Sequence, residues 1–108
     1  YNNLTALAGG SNTARATNDL DTSWHHVAAV ISGTSASVYI DGIDQTADGV
    51  IGALGSGTEI LLIGQYGGGG ANFNGLLDEI RISPNTRSAA WIQAQYRSMN
   101  GGYLTISD

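Results

Sequence analysis

Short apolar runs separated by polar turns recur along most of the chain, and this pattern predicts β-strands. The clearest pair comprises Trp24–Ile31, which is aromatic and β-branched, and Ala36–Ile40, with a Ser/Gly/Thr turn between them. The turn dipeptide Asp41-Gly42 closes the second run. The spacing therefore predicts a β-hairpin. In its second strand Val38 and Ile40 share one face, because successive side chains of a strand alternate.

Further strand patterns flank this hairpin. The continuous apolar run within Glu59–Gly64 has the length of a strand that is buried on both faces. Phe73–Ser83 predicts a long strand, which Pro84 ends. Residues 43–58 are rich in Gly, Asp, Thr and Ser and predict a loop. The predicted strands outside the hairpin are 1–8, 13–17, Glu59–Gly64, Phe73–Ser83 and Tyr103–Ser107.

One late segment has helical periodicity. Ser88 is a suitable N-cap, and Gly101-Gly102 forms the stop signal. Trp91 lies off the apolar stripe, which leaves two interpretations, packing against the sheets or an exposed contact residue. The elements together predict a β-sandwich with one short helix on its flank. The apolar stripe of the predicted helix consists of Ala89, Ile92, Tyr96 and Met99.

Composition and charge restrict the classes of partner. The 108 residues form one domain by length. Nine acidic residues against four arginines, with no lysine, give a net charge of −5. This balance excludes nucleic acid and anionic membrane surfaces as partners, because both need clustered cations. The absence of cysteine excludes a disulfide framework and a thiolate nucleophile. No apolar run approaches the roughly 20 residues of a membrane span.

Four motifs occur in an order that resembles a known family. The motifs are Trp24-His25-His26-Val27-Ala28, Val38-Tyr39-Ile40-Asp41-Gly42, Leu62-Ile63-Gly64 and Phe73–Ile82. The ordered set resembles the laminin-G-like (concanavalin A-like lectin/glucanase) jelly-roll domains of bacterial secreted and surface proteins. The resemblance implies an all-β antiparallel sandwich with a short helix before the last strand. It also implies an extracellular or cell-surface location.

The resemblance also implies that residues 1–108 are incomplete at the N-terminal side. Domains of this family have further N-terminal strands in both sheets. A sandwich without them has unpaired strand edges and buries a small fraction of its apolar surface. We therefore expect a single laminin-G-like domain that is completed in one of two ways. The missing strands come either from an earlier part of the polypeptide or from a neighbouring chain.

The pattern of acidic residues does not predict an enzyme. A glycosidase needs two carboxyl groups that face one sugar across about 5–10 Å. The glucanases that this fold resembles carry them on an E-x-D-x-x-E strand. No predicted strand here has carboxylates at positions i and i+2, and Asp78 and Glu79 diverge because they are adjacent. His25 and His26 point to opposite faces, and the resemblance implies a structural role for their segment.

Asp78 is the candidate metal ligand. It lies in line with apolar Leu76, Ile80 and Ile82 on the predicted strand, so we expect its carboxylate to be buried. A buried carboxylate needs a partner. Two interpretations follow. Asp78 either accepts hydrogen bonds from backbone N–H groups or pairs with an arginine, or it binds Ca²⁺ together with backbone carbonyls.

The candidate ligand-binding residues are Tyr66, Asn72 and Asn74, which flank four consecutive glycines at 67–70. Aromatic faces stack on pyranose rings and amides fix hydroxyl groups, so such residues in a rim loop suit a glycan. Neighbouring Phe73 is interpreted as a core residue.

We therefore expect a non-catalytic, extracellular binding or adhesion module that recognises glycan or protein ligands. One alternative is a structural subunit or spacer of a fibre, surface layer or virion appendage, completed by strands from a neighbour. Another is an accessory domain of a larger secreted enzyme.

Overall fold

The described part of the chain consists of six β-strands and one α-helix. The structure, a computed structural model, describes residues 3–7, 13–49, 51–52, 61–65 and 72–101. All strand pairs are antiparallel, and they form two three-stranded sheets, ordered β1-β2-β6 and β3-β4-β5. This architecture confirms the predicted fold class. The elements are β1 Asn3–Leu7, β2 Thr13–Asp19, β3 Val27–Ser32, β4 Ser35–Ile40, β5 Ile43–Asp44, β6 Thr46–Asp48 and α1 Ala89–Met99.

The central hairpin, β3 and β4, is confirmed. Its strands pair without a register shift from Val27 opposite Ile40 to Ser32 opposite Ser35. Gly33 begins the two-residue turn with a φ of 59°, which suits a type II′ turn. The first strand begins three residues later than predicted. The segment before it continues the ladder through one bond, from the Asp41 N–H to the carbonyl of His26, at 2.8 Å.

The two sheets meet at Gln45, the residue between β5 and β6. Its N–H donates to the Val38 carbonyl in β4 at 2.9 Å, and its carbonyl accepts from the N–H of Thr17 in β2 at 2.7 Å. The prediction of a loop across 43–58 is therefore wrong for residues 43–48. The backbone of this segment pairs with strands on both sides, and that pairing outweighs its weak strand composition.

The main apolar core lies against one face of β4. Alternate residues of this strand are buried, which confirms that Val38 and Ile40 share a face. Tyr39, on the opposite face, is also buried. Leu20 and Ile31 pack against the core from its edge. The buried members of the core are Ala16, Ala36, Val38, Ile40 and Ile51.

The helix α1 begins as predicted. The Ser88 hydroxyl accepts a hydrogen bond from the Trp91 N–H at 3.2 Å, as expected of an N-cap. The helix ends at Met99, and Gly101 follows with a φ of 78°. Of the predicted apolar stripe, Ile92 is fully buried, whereas Met99 is 46% exposed. The predicted apolar stripe is thus confirmed as buried at Ile92 and is wrong at Met99.

The helix rests on the turn between β4 and β5. A Cβ atom added to Gly42 would lie 3.2 Å from the Cα of Gln93 and 3.2 Å from Cδ1 of Tyr96. The Tyr96 ring also lies 6.1 Å from the ring of His26, centroid to centroid. A glycine at position 42 therefore allows the helix to approach the sheet closely.

Two predicted strands are not formed in the described residues. Leu61–Gly64 lies outside the strands, and its side chains Leu61 and Ile63 are exposed. The strand predicted for Phe73–Ser83 is also wrong, because Glu79 has a φ of 54°, which interrupts an extended conformation. Glu59, Ile60 and the closing strand Tyr103–Ser107 lie outside the described residues.

Candidate functional site

A hydrogen-bonded polar cluster joins the loop before β3 to the turn after β4. His25 lies between two carboxylates: Nδ1 is 2.7 Å from Oδ2 of Asp41, and Nε2 is 2.9 Å from Oδ1 of Asp21. The other oxygen of Asp41 accepts from the N–H of His26 at 2.9 Å. We call Asp21, His25 and Asp41 the carboxylate–histidine clamp. It ties the Trp-His-His segment to the Asp-Gly turn.

Hydrogen bonds on both ring nitrogens require the doubly protonated form of His25. A carboxylate can only accept a hydrogen bond, so each ring nitrogen must carry a proton to bond with its partner. The hydrogen bond to Asp41, followed by the one to Asp21, raises the pKa of His25 above its usual value. The imidazolium therefore persists to higher pH than that of an ordinary histidine.

Asp21 is the exposed end of the clamp. Its Oδ1 atom accepts from the Ser23 N–H at 2.6 Å as well as from His25. The Ser23 backbone bond, followed by the His25 bond, lowers the pKa of Asp21 to about 2. Both bonds favour the ionised carboxylate, so Asp21 is charged at neutral pH.

His26 has different surroundings from His25. Its Nδ1 atom is buried and has no hydrogen-bond partner among the described residues, and its ring lies 6.1 Å from that of Tyr96 in the helix. Burial lowers the pKa of His26, and the positive charge of Arg81 adds to this effect although the charge of Asp41 opposes it. The two adjacent histidines therefore have different partners, in agreement with the prediction that they diverge.

The predicted ligand-binding residues lie in other segments. Tyr66 lies outside the described residues. Asn72 forms an isolated antiparallel bridge with Gln65, and Asn74 is exposed. Phe73 is 51% exposed, so its interpretation as a core residue is wrong. The two asparagines thus offer accessible amides, and their role in ligand binding stays a prediction.

Asp78 is exposed, so the prediction that its carboxylate is buried is wrong. Its Oδ1 atom accepts from the N–H of Glu79 at 2.8 Å, which agrees with the backbone-bonded interpretation. The neighbouring carboxylate, Glu79, pairs with Arg81 at 3.1 Å. Ca²⁺ takes six to eight oxygen ligands. Asp78 and these neighbours would supply only part of such a shell, and calcium binding stays a prediction.

Both tryptophans are exposed, but in different ways. Trp24 is 68% exposed in the loop that carries the clamp. Trp91 is 42% exposed, and the guanidinium carbon of Arg87 lies 4.7 Å from its ring centroid. Trp91 is thus a surface residue whose ring is partly covered by a cation.

The clamp was not predicted from the sequence, although two signals for it are present. Asp21 and His25 are four residues apart, and Asp41 stands before a glycine at the end of a strand. The Asp-Gly pair was interpreted only as a turn. The positive φ of Asp41, 52°, agrees with that role. Its carboxylate has the additional role of holding the preceding loop, which depends on a contact across 16 residues.

The described residues contain no group of three or more His, Asp or Glu side chains that could hold a metal ion. Within the same residues, no helix has both the length and the apolar character needed to cross a bilayer.

Comparison with known proteins identifies the family. A laminin-G family model, described as the concanavalin A-like lectin/glucanases superfamily, matches residues 2–93. Neither the curated proteins nor the solved structures gave a match. The matched region contains both sheets, the clamp and the start of the helix. The chain therefore belongs to the concanavalin A-like lectin/glucanase superfamily, as a laminin-G-like domain.

Proposed function

We propose that this chain is a non-catalytic binding module of an extracellular or cell-surface protein, and that it recognises glycan or protein ligands. The observation that carries the proposal is the family match over residues 2–93. Membership of a lectin/glucanase superfamily indicates a carbohydrate- or protein-binding module, and laminin-G-like domains are typically extracellular.

The chemistry of the clamp favours binding over catalysis. His25 has both ring nitrogens committed to carboxylates, so it is not available to remove a proton from a substrate. Asp41 is occupied on both oxygens, by His25 and by the N–H of His26. These groups hold the loop in position, which is a supporting role.

A glycan array tests the proposal. The folded chain is applied in buffer with Ca²⁺ and in buffer with a chelator, and the same two conditions are used for a pull-down of extracellular proteins. We expect a saturable signal for at least one glycan or protein. The chelator arm tests the predicted calcium ligand Asp78. Silence in both assays under both conditions would contradict the proposal.

Substitution of the two described candidate residues makes the test specific. N72A and N74A remove the exposed amides beside residues 67–70, and we expect each to weaken the signal. N85A is the matched control, because Asn85 is an exposed asparagine whose only described bond uses its backbone N–H. Equal loss in N85A would indicate a general effect on the surface and not a ligand site.

A second candidate function is supported by the exposed apolar segment that follows the described sheets. Leu76, Ile80 and Ile82 are 77%, 55% and 70% exposed. An apolar segment with this exposure suits pairing with a strand from a neighbour. The chain would then be a subunit or spacer of an extracellular assembly, completed by an extended apolar strand of the adjacent subunit.

Size-exclusion chromatography and thermal melting of the 108-residue chain test this second candidate. We expect association or a broad, weakly cooperative transition for the chain alone. A monomer that melts in one sharp transition would contradict completion by a neighbour. It would leave the binding proposal intact.

A further inference from the structure

Trp24 combines high exposure with a fixed position. It is 68% exposed, although an indole is among the largest apolar side chains and gains much from burial. Trp24 makes no ring contact and no cation–π contact with another described residue. Its ring is therefore open to solvent and free to take a ligand.

The backbone on both sides of Trp24 is anchored. On one side, Asp21 accepts from the Ser23 N–H at 2.6 Å. On the other side, His25 and the His26 N–H both bond to Asp41, at 2.7 and 2.9 Å. Because these bonds hold the backbone of the loop, a ligand that contacts Trp24 loses little of its binding free energy to ordering the protein.

The groups around Trp24 indicate the chemistry of the ligand. Asp21 has 71% of its side chain exposed, so its carboxylate can accept hydrogen bonds from hydroxyl groups. Asp21 and Asp41 lie on either side of His25, and the chain carries a net charge of −5. An anionic ligand would be repelled. A neutral sugar has an apolar C–H face for the indole and hydroxyl groups for the carboxylate.

We propose that Trp24, together with Asp21 three residues before it in the same loop, forms a stacking subsite for a neutral pyranose ring of an oligosaccharide. This inference rests on the proposed binding function and assigns residues that differ from Asn72 and Asn74. The clamp has a defined purpose under this proposal. It holds Trp24 and Asp21 in the arrangement that the sugar meets.

The second tryptophan provides the matched control. Trp91 is also exposed, but Arg87 lies over its ring at 4.7 Å, so that face is occupied. A W91F background leaves Trp24 as the only source of indole fluorescence, because the chain has two tryptophans. W24A removes the proposed platform, W24F retains a smaller ring, and W91A removes an indole from the surface elsewhere.

The experiment is a titration of the 108-residue chain with defined sugars. The neutral probes are hexamers of α-1,4-glucose, β-1,4-glucose and β-1,4-xylose, and the anionic probe is a hexamer of galacturonate. In the W91F chain, we expect one neutral hexamer to shift Trp24 emission to shorter wavelength and to protect it from acrylamide. The galacturonate hexamer should produce neither effect.

Calorimetry of the variants gives the contribution of Trp24 to the affinity for the neutral hexamer. W24A should bind it about tenfold or more weakly, a loss of roughly 1.4 kcal/mol. W24F should lose less affinity, and W91A should lose none.

Each contrary outcome has a distinct meaning. Equal affinity of W24A and the unchanged chain would overturn the subsite while the binding function stands. Absence of binding by every neutral hexamer would also overturn the subsite, and the array and pull-down would then decide the proposed function separately. A large drop in the thermal midpoint of W24A relative to the unchanged chain would show that Trp24 is a packing residue, which overturns the proposal. The proposal is also overturned if the only ligand that the chain binds is a protein.

Discussion

At the scale of single residues, Asp41 combines a left-handed backbone conformation with hydrogen bonds on both carboxylate oxygens. It occupies the left-handed region with a φ of 52°, and its two oxygens bond to His25 and to the His26 N–H. The residue therefore shapes a turn and anchors a loop at the same time. Asparagine and glycine share its tolerance of positive φ, but neither can supply two negatively charged oxygens.

Asp41→Ala should lower the free energy of unfolding by about 1–3 kcal/mol, because both donors lose their partner and alanine adopts positive φ less readily. Asp41→Asn is the matched variant. It retains the turn conformation and one acceptor oxygen, and we expect a smaller loss. Urea unfolding followed by circular dichroism measures both. Equal stability of Asp41→Ala and the unchanged chain would contradict the role of the clamp.

The pKa values of the two histidines should differ from the ordinary value of 6.5 in opposite directions. Hydrogen bonds to Asp41 and Asp21 raise the pKa of His25, whereas burial lowers the pKa of His26. NMR titration of the ring protons should therefore give one midpoint above 6.5 and one below. His25→Gln assigns the upper midpoint by removing it. Two midpoints at 6.5 would contradict the described environments.

The same shifts set the pH range in which the clamp stabilises the fold. The folded pKa of His25 is raised, so its contribution is complete below pH 6.5 and is lost as pH rises through the folded value. The folded pKa of Asp21 is lowered to about 2, so its contribution is complete above about pH 3.8 and is lost as pH falls towards 2. The clamp is thus strongest in mildly acidic solution.

At the scale of elements, the contact between helix α1 and the β4–β5 turn depends on Gly42. Gly42→Ala should destabilise the chain for two reasons, the φ of 77° and the tight approach of the added Cβ, 3.2 Å, to Gln93 and Tyr96. Gly33→Ala is the matched control, since its φ is 59° and no atom lies within 4 Å of an added Cβ. Backbone strain alone costs about 1–2 kcal/mol. Thermal melting should show a larger loss for position 42, and equal losses would contradict close packing of the helix.

The N-terminus of the helix offers a separate measurement. Ser88→Ala removes the acceptor for the Trp91 N–H, and we expect a loss of about 1 kcal/mol in the free energy of unfolding. Ser98→Ala, near the other end of the same helix, is the control. Its hydroxyl donates to the Gln95 carbonyl within the helix, and alanine is the better helix former there. Denaturant unfolding of the two variants should show a loss of stability for Ser88→Ala and none for Ser98→Ala. The comparison separates the effect of the N-cap from that of helix propensity.

Local patterns predicted some elements well and others poorly. The hairpin and the helix start follow from alternation, a glycine turn and the serine before Ala89, all of which are local signals. The strands β5 and β6 have weak strand composition, and they form because backbone groups of β4 and β2 are available on either side. Phe73–Ser83 has strong alternation, but no described strand pairs with it, and Glu79 has a conformation that local preference does not favour.

The candidate site was less predictable than the fold for a related reason. The clamp joins residues 16 positions apart, and the exposure of Trp24 depends on what packs near it. The expected burial of Asp78 followed from its apolar neighbours, and it failed because those neighbours are exposed too. Residue type predicted the chemistry available, whereas the position of each group relied on tertiary contacts.

At the scale of the whole molecule, thirteen large apolar side chains are exposed among the described residues. Leu61, Leu76 and Ile82 are 69%, 77% and 70% exposed. These values support the second candidate function, in which a neighbour covers that surface.

Leu76→Lys separates a surface that is covered by a partner from one that is buried within the chain. Leu76 is 77% exposed, so the free energy of unfolding of the monomer should change by less than about 0.5 kcal/mol. Association, measured by sedimentation over a concentration series, should weaken because a charge would enter the apolar contact. Asn85→Lys adds the same charge on an exposed polar site and should affect neither quantity. Strong destabilisation of the Leu76→Lys monomer would contradict the exposed position.

The hydrogen bonds of Gln45 have a mechanical consequence. One peptide on each side of this residue connects the strand β4 to the strand β2, so tension applied between the sheets passes in part through two adjacent backbone bonds. The bonds from the Ala36 N–H to the Gly49 carbonyl and from the Val38 N–H to the Thr46 hydroxyl share this load. If the chain is the spacer of the second candidate function, most of this junction resists pulling through main-chain groups, which do not depend on the side chain at position 45.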